Sequence, residues 1–415
     1  MEAFQYRGGE LCCEGVPLRQ IAETVGTPTY VYSKTAILVN LHAYDRAFAS
    51  VPHVVFYAIK ANANLAVLAA LAKAGAGADI ASGGELFRAL RAGVPAQRIL
   101  FAGVGKTRDE MREALKAQIL MFNVESASEL STLDQVAQEM GVRAPVALRV
   151  NPDVDPQTHK YIATGLRSAK FGIPVAEALK EYVAAARMPG IEVLGAQMHI
   201  GSQLTKISPI ADSLARICAL VSDLRERGIE IKMVDVGGGL GIRYRDEQPP
   251  SQDEYAGTLL PALKELGVTV LLEPGRSIVG NAGALLARAL YQKQTPDKRF
   301  LIVDAAMNDL IRPSLYEAYH EILPVREAVS KSRSKVDVVG PICESGDFLA
   351  KDREMPDVGE GDLLAVMSAG AYGFAMSSQY NSRLRAAEVL VEADRYRVVR
   401  RRETYEDLIA CESLE

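Results

Sequence analysis

A chain of 415 residues that is 48% apolar and 24% charged can build a large core, and its composition is not that of a disordered, collagen-like or membrane-embedded protein. The formal net charge of −5 and the lack of a long Lys/Arg run argue against a general nucleic-acid surface, and no segment offers the ~18 uninterrupted apolar residues of a membrane span. Five cysteines, with Cys12 and Cys13 adjacent, do not form a disulfide framework, and the start has no basic stretch followed by an apolar run; a reduced, cytoplasmic setting is expected. No C-x-x-C or His/Cys cluster suggests a metal.

In chain order, the first strand-like piece is Thr29-Tyr30-Val31-Tyr32, expected to pack with the C-terminal part of the chain. From about residue 50 to about residue 280 a pattern repeats eight times: a short Val/Ile/Leu-rich run, Gly/Ser/Asn punctuation, then a segment of helical period. The runs are 54–59, 78–81, 99–102, 119–122, 146–150, 193–199, 232–236 and 270–273. Near-continuous apolar runs are what parallel strands covered on both faces require. Four S/T-x-x-E strings mark helix starts as capping boxes: Ser82 with Glu85, Thr107 with Glu110, Ser126 with Glu129 and Ser251 with Glu254. The pattern predicts an α/β fold, a (β/α)8 TIM-like barrel, with an open doubly wound sheet as the alternative. After Gly280 the runs 300–303, 336–339, 363–367 and 387–391 alternate without long helices between most of them, which predicts a mainly antiparallel β domain. The expected division is a barrel over 31–280 and a β domain from 1–30 with 281–415. Arg400, Arg401 and Arg402 read as a solvated strand edge.

Functional groups of a barrel lie at the C-terminal ends of its strands. Those ends carry Lys60 and Asn62, Asp79 and Ser82, Arg149 and Asn151, His199 and Ser202, Gly237-Gly238-Gly239, and Glu273-Pro274-Gly275-Arg276. The glycines and the Gly-Arg pair after the last two strands expose backbone amides where barrels often bind phosphate. A lysine alone at a strand end is more often a snorkelling surface residue, yet a desolvated one can form a Schiff base. Taken together, a phosphate cradle, such a lysine, an imidazole to stack on a ring and an isolated carboxylate to protonate a pyridine nitrogen are the parts that pyridoxal 5'-phosphate needs.

The strings Y-A-I-K-A-N around Lys60, D-I-A-S-G-G-E-L from Asp79, H-I-G-S-Q from His199, D-V-G-G-G-L-G-I and E-P-G-R from Glu273 resemble the fold-type III pyridoxal-phosphate decarboxylases. With R-P-S-L-Y from Arg312 and G-P-I-C-E-S-G-D from Gly340, the chain resembles the diaminopimelate decarboxylase family over nearly its whole length. The resemblance implies a barrel plus β domain and a homodimer whose sites are shared between subunits. It also implies decarboxylation of meso-2,6-diaminopimelate to L-lysine. Carried over by motif, Lys60 attaches the cofactor, His199 stacks on it, Gly239, Gly275 and Arg276 hold its phosphate, Glu273, next to Pro274, faces the pyridine nitrogen, and Ser202 and Asp79 support it.

The same resemblance puts Tyr372 near phosphate and substrate, and makes Cys343, reaching in from the other subunit, the thiol that returns a proton, with Lys60 as the alternative donor. A substrate with a second amino-acid head calls for a distal cation and a distal anion; Arg276, Arg312 and Tyr316 fit the first and Glu344 the second. Ornithine- or arginine-type decarboxylation, which has no distal carboxylate to hold, and a non-catalytic pyridoxal-phosphate-binding homologue are the rival readings. His42, His53, His159 and His320 receive no role, and Cys218 reads as a buried hydrophobe.

Overall fold

The structure, a computed structural model, describes residues 3–155, 164–165, 169–328 and 332–414; His159 lies outside them. The chain divides into two compact units, one of residues 40–242 with 248–277, the other of residues up to 39, 243–247 and from 278 onward. The strand Thr29–Ser33 runs across the expected boundary at residue 31.

The first unit is a closed parallel barrel. Its strands are β1 (His53–Ala58), β2 (Gly77–Ile80), β3 (Ile99–Phe101), β4 (Met121–Val124), β5 (Ala144–Asn151), β6 (Ile191–Met198), β7 (Met233–Asp235) and β8 (Thr269–Leu272). Each pairs in parallel with the next, and β8 pairs with β1 through Val270 and His53, so the sheet closes and the open doubly wound alternative is excluded. Phe56, Leu100, Met121, Ala147 and Leu271 meet in one buried cluster within this unit. Gly77 makes room for it: a Cβ there would stand 2.6 Å from the Phe56 ring and from the Arg98 carbonyl, closer than atoms pack.

Helices of nine to nineteen residues follow the first seven strands. The eighth unit departs from the expected repeat: β8 is followed only by the one-turn helix Arg276–Val279. A fourteen-residue helix, Lys34–Ala47, precedes β1 instead, and its Tyr44 hydroxyl is 2.7 Å from Ser277 Oγ. Two of the four expected capping boxes close fully, Thr107 with Glu110 and Ser251 with Glu254. Ser82 and Ser126 cap as expected, but their reciprocal carboxylates reach one residue further back, Glu85 to the Ala81 amide and Glu129 to the Glu125 amide. Glu129 is drawn inward by Lys106, whose Nζ lies 2.7 Å from it.

In the second unit a long sheet runs in the order Phe348–Pro356, Arg333–Val339, Arg299–Val303, Gly283–Gln294, Thr29–Ser33, Ala387–Glu392 and Arg395–Arg400. Its pairings are antiparallel except Arg299–Val303 with Arg333–Val339 and Thr29–Ser33 with Ala387–Glu392. The N-terminal strand is thus built into the C-terminal sheet, and Val31, Ala284, Leu286 and Val389 share its core. The arginine run is more than a solvated edge. Arg400 pairs at 2.6 Å with the buried Glu388, and the half-buried Arg402 donates to Thr29 Oγ1 at 3.1 Å. All five cysteines are free, and Cys218 is half-buried on helix Ser208–Glu226.

Candidate active site at the barrel mouth

β1 ends at Ala58 and the chain makes a single 3-10 turn, Ile59–Ala61, which takes Lys60 out of the strand. The expectation of a desolvated lysine is corrected here: its side chain is 42% exposed, and Nζ makes a 3.1 Å ion pair with Asp79 Oδ2. Asp79, inside β2, is almost wholly buried, and its Oδ1 has no hydrogen-bond partner among the described residues. The turn is braced by Tyr57, whose hydroxyl donates to the Asn62 carbonyl, and by Asn64, which caps the next helix.

Deeper in the same barrel sits a set of polar groups of which the motif reading gives a role only to Glu273. Asn123 of β4 donates through Nδ2 to Asp235 Oδ2 at 3.0 Å and to Glu273 Oε1 at 3.1 Å. Gln197 of β6 donates to Glu273 Oε2 at 3.3 Å, and the Gly237 amide donates to Asp235 Oδ1 at 2.9 Å. All four residues are buried. Burial first, then the negative charge of Asp235, pushes the Glu273 carboxyl well above its ordinary value. Asp235 is pushed up to about 6, again chiefly by burial. Asn123 and Asp235 are each the single polar residue of an apolar strand, and Gln197 lies among apolar neighbours near the end of its own, a signal available in the sequence because such a residue is costly unless partnered.

His199, just after β6, accepts the Gly238 amide on Nδ1 at 3.3 Å. Surrounding protein, then the cations of Arg149 and Lys60, push its pKa well below the ordinary value, so the ring is neutral and carries its proton on Nε2. Arg149 is itself anchored by Glu125 at 2.8 Å, lies over the Phe171 ring and donates to the His199 carbonyl. The Arg276 guanidinium is held by Ser202 Oγ at 2.9 Å. The Gly237–Gly239 run is required by close packing: a Cβ on Gly238 would fall 2.1 Å from the Glu273 carbonyl, and Gly239 has a φ of +105°. Next to Pro274, Gly275 stands against Ala58 and Ala61, where a Cβ would meet both at 3.1 Å.

The other expected residues belong to the β unit. Arg312 is buried, 2.8 Å from His320 Nε2 and over the Tyr244 ring, while His320 Nδ1 lies 2.8 Å from the Met367 carbonyl. Tyr316 ends the same short helix, Arg312–Tyr316, and is half-buried. Cys343 and Glu344 are exposed; the Cys343 amide donates to Asn381 Oδ1 at 2.8 Å, and Glu344 accepts from the Tyr380 hydroxyl at 3.0 Å. Tyr372 is half-buried with a φ of +56°. Among the described residues no helix is long and apolar enough to cross a membrane.

Residues 34–280 match the family model described as "Pyridoxal-dependent decarboxylase, pyridoxal binding domain". The chain is 56% identical over 414 residues to the diaminopimelate decarboxylase of Pseudomonas aeruginosa, covering 100% of this chain and 99% of that one. It is 50% identical over 409 residues to the diaminopimelate decarboxylase of Aquifex aeolicus, covering 98% and 96%. Among solved structures, the diaminopimelate decarboxylase of M. jannaschii in co-complex with L-lysine superposes with a TM-score of 0.95 at 41% identity, over 100% of this chain and 98% of that one.

Proposed function

We propose, from the premise that this chain belongs to the diaminopimelate decarboxylase family of pyridoxal-dependent decarboxylases, that it removes one carboxylate of meso-2,6-diaminopimelate as carbon dioxide and releases L-lysine. It is a pyridoxal-phosphate-dependent carboxy-lyase. The observation that carries the reading is one barrel in which a lysine sits on a buried aspartate and a second carboxyl is held by two amides and makes no ion pair among the described residues.

The residues present fit the cofactor. Asp79 Oδ1, Asn123 Oδ1 and Gln197 Oε1 are buried acceptors without a partner among the described residues, and Glu273 is an acid of raised pKa suited to a ring nitrogen. Bound there, pyridoxal phosphate would supply an electron sink for the bond pair that the departing carboxylate leaves. In this reading Lys60 holds it through Nζ, and Asp79 keeps that amine in place. His199 offers a neutral ring face that needs no counter-ion, and the amides of Gly239, Gly275 and Arg276 take the phosphate, with Ser202 fixing the Arg276 side chain. Tyr372 stands by phosphate and substrate.

Arg276, Arg312 and Tyr316 take the distal carboxylate of the substrate, and Glu344 the distal ammonium. Support for Arg312 comes from its fixed guanidinium, since an oriented fork binds a carboxylate at lower entropic cost. Cys343 returns a proton to the carbon, with Lys60 as the alternative donor. The exposure of Cys343 and Glu344 in the single chain supports a homodimer in which each subunit offers them to its partner. In the same reading residues 31–280 bind the cofactor, 1–30 with 281–415 add substrate residues and dimer contacts, no nucleic acid is bound, and the compartment is the cytoplasm. The test is to supply the purified chain with meso-diaminopimelate, ornithine or arginine and to quantify carbon dioxide and amine products. Lysine from diaminopimelate is expected; diamine formation in preference to lysine would overturn the reading.

A further inference from the structure

Asp235 and Glu273 are buried carboxyls within hydrogen-bonding reach of each other, and neither makes an ion pair among the described residues. Among the described residues their four oxygens accept from uncharged donors: the Gly237 amide, both hydrogens of Asn123 Nδ2 and Gln197 Nε2. The titratable groups that act on the pair from the surrounding elements are Lys60, Asp79 and the Tyr255 phenol. Lys60 makes its ion pair with Asp79, and its charge acts on Glu273 less than burial and the charges of Asp235 and Asp79 do. Two carboxylates in contact, without a counter-ion and out of water, cannot both be ionised at neutral pH.

We infer that Asp235 is a positioning residue for Glu273: the two carboxyls hold one proton between them, and the charge of Asp235 keeps that proton on the Glu273 side until a ring nitrogen arrives. Asn123, bonded to both, fixes the two side chains in register. A ring nitrogen bound at this carboxyl would take that proton from the Glu273 O–H, and the charge left on Glu273 and Asp235 would balance the cation so made. Asp235 acts through Glu273, held by Asn123 and the Gly237 amide. Its place between Asn123 and the Gly237 amide also explains an aspartate at the end of β7, which the motif reading left without a role. The inference rests on the proposed function only in giving Glu273 a ring nitrogen to meet.

The test is infrared spectroscopy of the whole chain with its cofactor removed, carrying ¹³C in its glutamate side-chain carboxyls. The difference between wild type and Glu273→Gln at neutral pH should contain the carbonyl stretch of a protonated carboxyl. In Asp235→Asn that band should vanish at a pH lower by roughly one unit or more, because the like charge is gone. No such band in the first difference, or an unchanged titration midpoint in Asp235→Asn, overturns the inference. The first arm needs no change at Asp235, so it decides even if Asp235→Asn does not fold. Because the spectrum is read without cofactor or substrate, its outcome is independent of whether the chain makes lysine.

Discussion

Lys106→Met tests how much the barrel depends on one buried cation. The Lys106 side chain is fully buried; Nζ donates to Glu129 Oε1 at 2.7 Å and to the Gly103 and Asn123 carbonyls at 2.8 Å each, and stands 5.6 Å from the Phe101 ring centroid. Methionine fills a similar volume but leaves Glu129 with a single remaining donor among the described residues, the Glu125 amide. Breaking a buried pair from one side costs about 3–5 kcal/mol, whereas removing both charges together can be nearly neutral. The chain has no tryptophan, so the assay is urea unfolding followed by far-UV circular dichroism. With m of about 3 kcal/mol/M the midpoint should fall by about 1 M or more.

The double variant Lys106→Met with Glu129→Leu should recover most of that loss. The deficit also depends on pH. Burial already raises the Glu129 pKa against the pull of Lys106, and loss of the lysine raises it further. A carboxyl with a raised folded pKa keeps a proton that the unfolded chain has released, so stability falls as pH rises above the ordinary carboxylate range. The deficit should therefore be small at about pH 5 and full at about pH 8. A single variant within about 1 kcal/mol of wild type at the higher pH would refute the argument.

Glu273→Gln should keep the cofactor's visible absorbance but lose roughly a hundredfold or more in turnover, since an amide cannot hold a pyridine proton against departure; unchanged turnover in a steady-state lysine assay would remove that role. His199 has a depressed pKa, so the unfolded chain takes up a proton below about pH 6.5 that the folded chain refuses, and stability is lost as pH falls through that range. His199→Gln should erase about 1 kcal/mol of the fall between about pH 7.5 and 5.5, read as a change in the gap between urea midpoints. Lys60→Ala and Cys343→Ala homodimers should each be nearly inactive, and after tag-verified subunit exchange the mixture should regain about a quarter of wild-type activity, because half of the dimers then carry one intact site. Verified exchange with no regained activity would mean that Cys343 acts within its own chain.

The eight barrel strands were legible because burial on both faces leaves an apolar run, and every run found in the sequence overlaps an observed strand. The longest strand of the β unit, Gly283–Gln294, was not. Its sequence, GALLARALYQKQ, is rich in Ala and Leu and lacks β-branched residues, so local preference favours a helix. Pairing with Thr29–Ser33, Arg299–Val303 and Leu363–Val366 overrides that preference. Lys60 was singled out at a strand end, but its surroundings were misjudged, because the one-turn helix after β1 is a matter of backbone geometry that an apolar run followed by lysine does not reveal.

The acid pair marks a different limit. Asp235 and Glu273 are each visible as a polar residue at the end of an apolar run, and so are Asn123 and Gln197 within theirs. What cannot be seen along the chain is that they meet. Asn123 bonds a residue 112 positions away and another 150 positions away, and these bonds exist only because the sheet closes on itself. An isolated glutamate at a strand end reads as one negative charge, but beside a second buried carboxyl it must keep a proton. The charge that this site presents to a ligand is therefore a property of barrel closure. A variant that shifts β7 against β8 should alter it even with every named side chain retained.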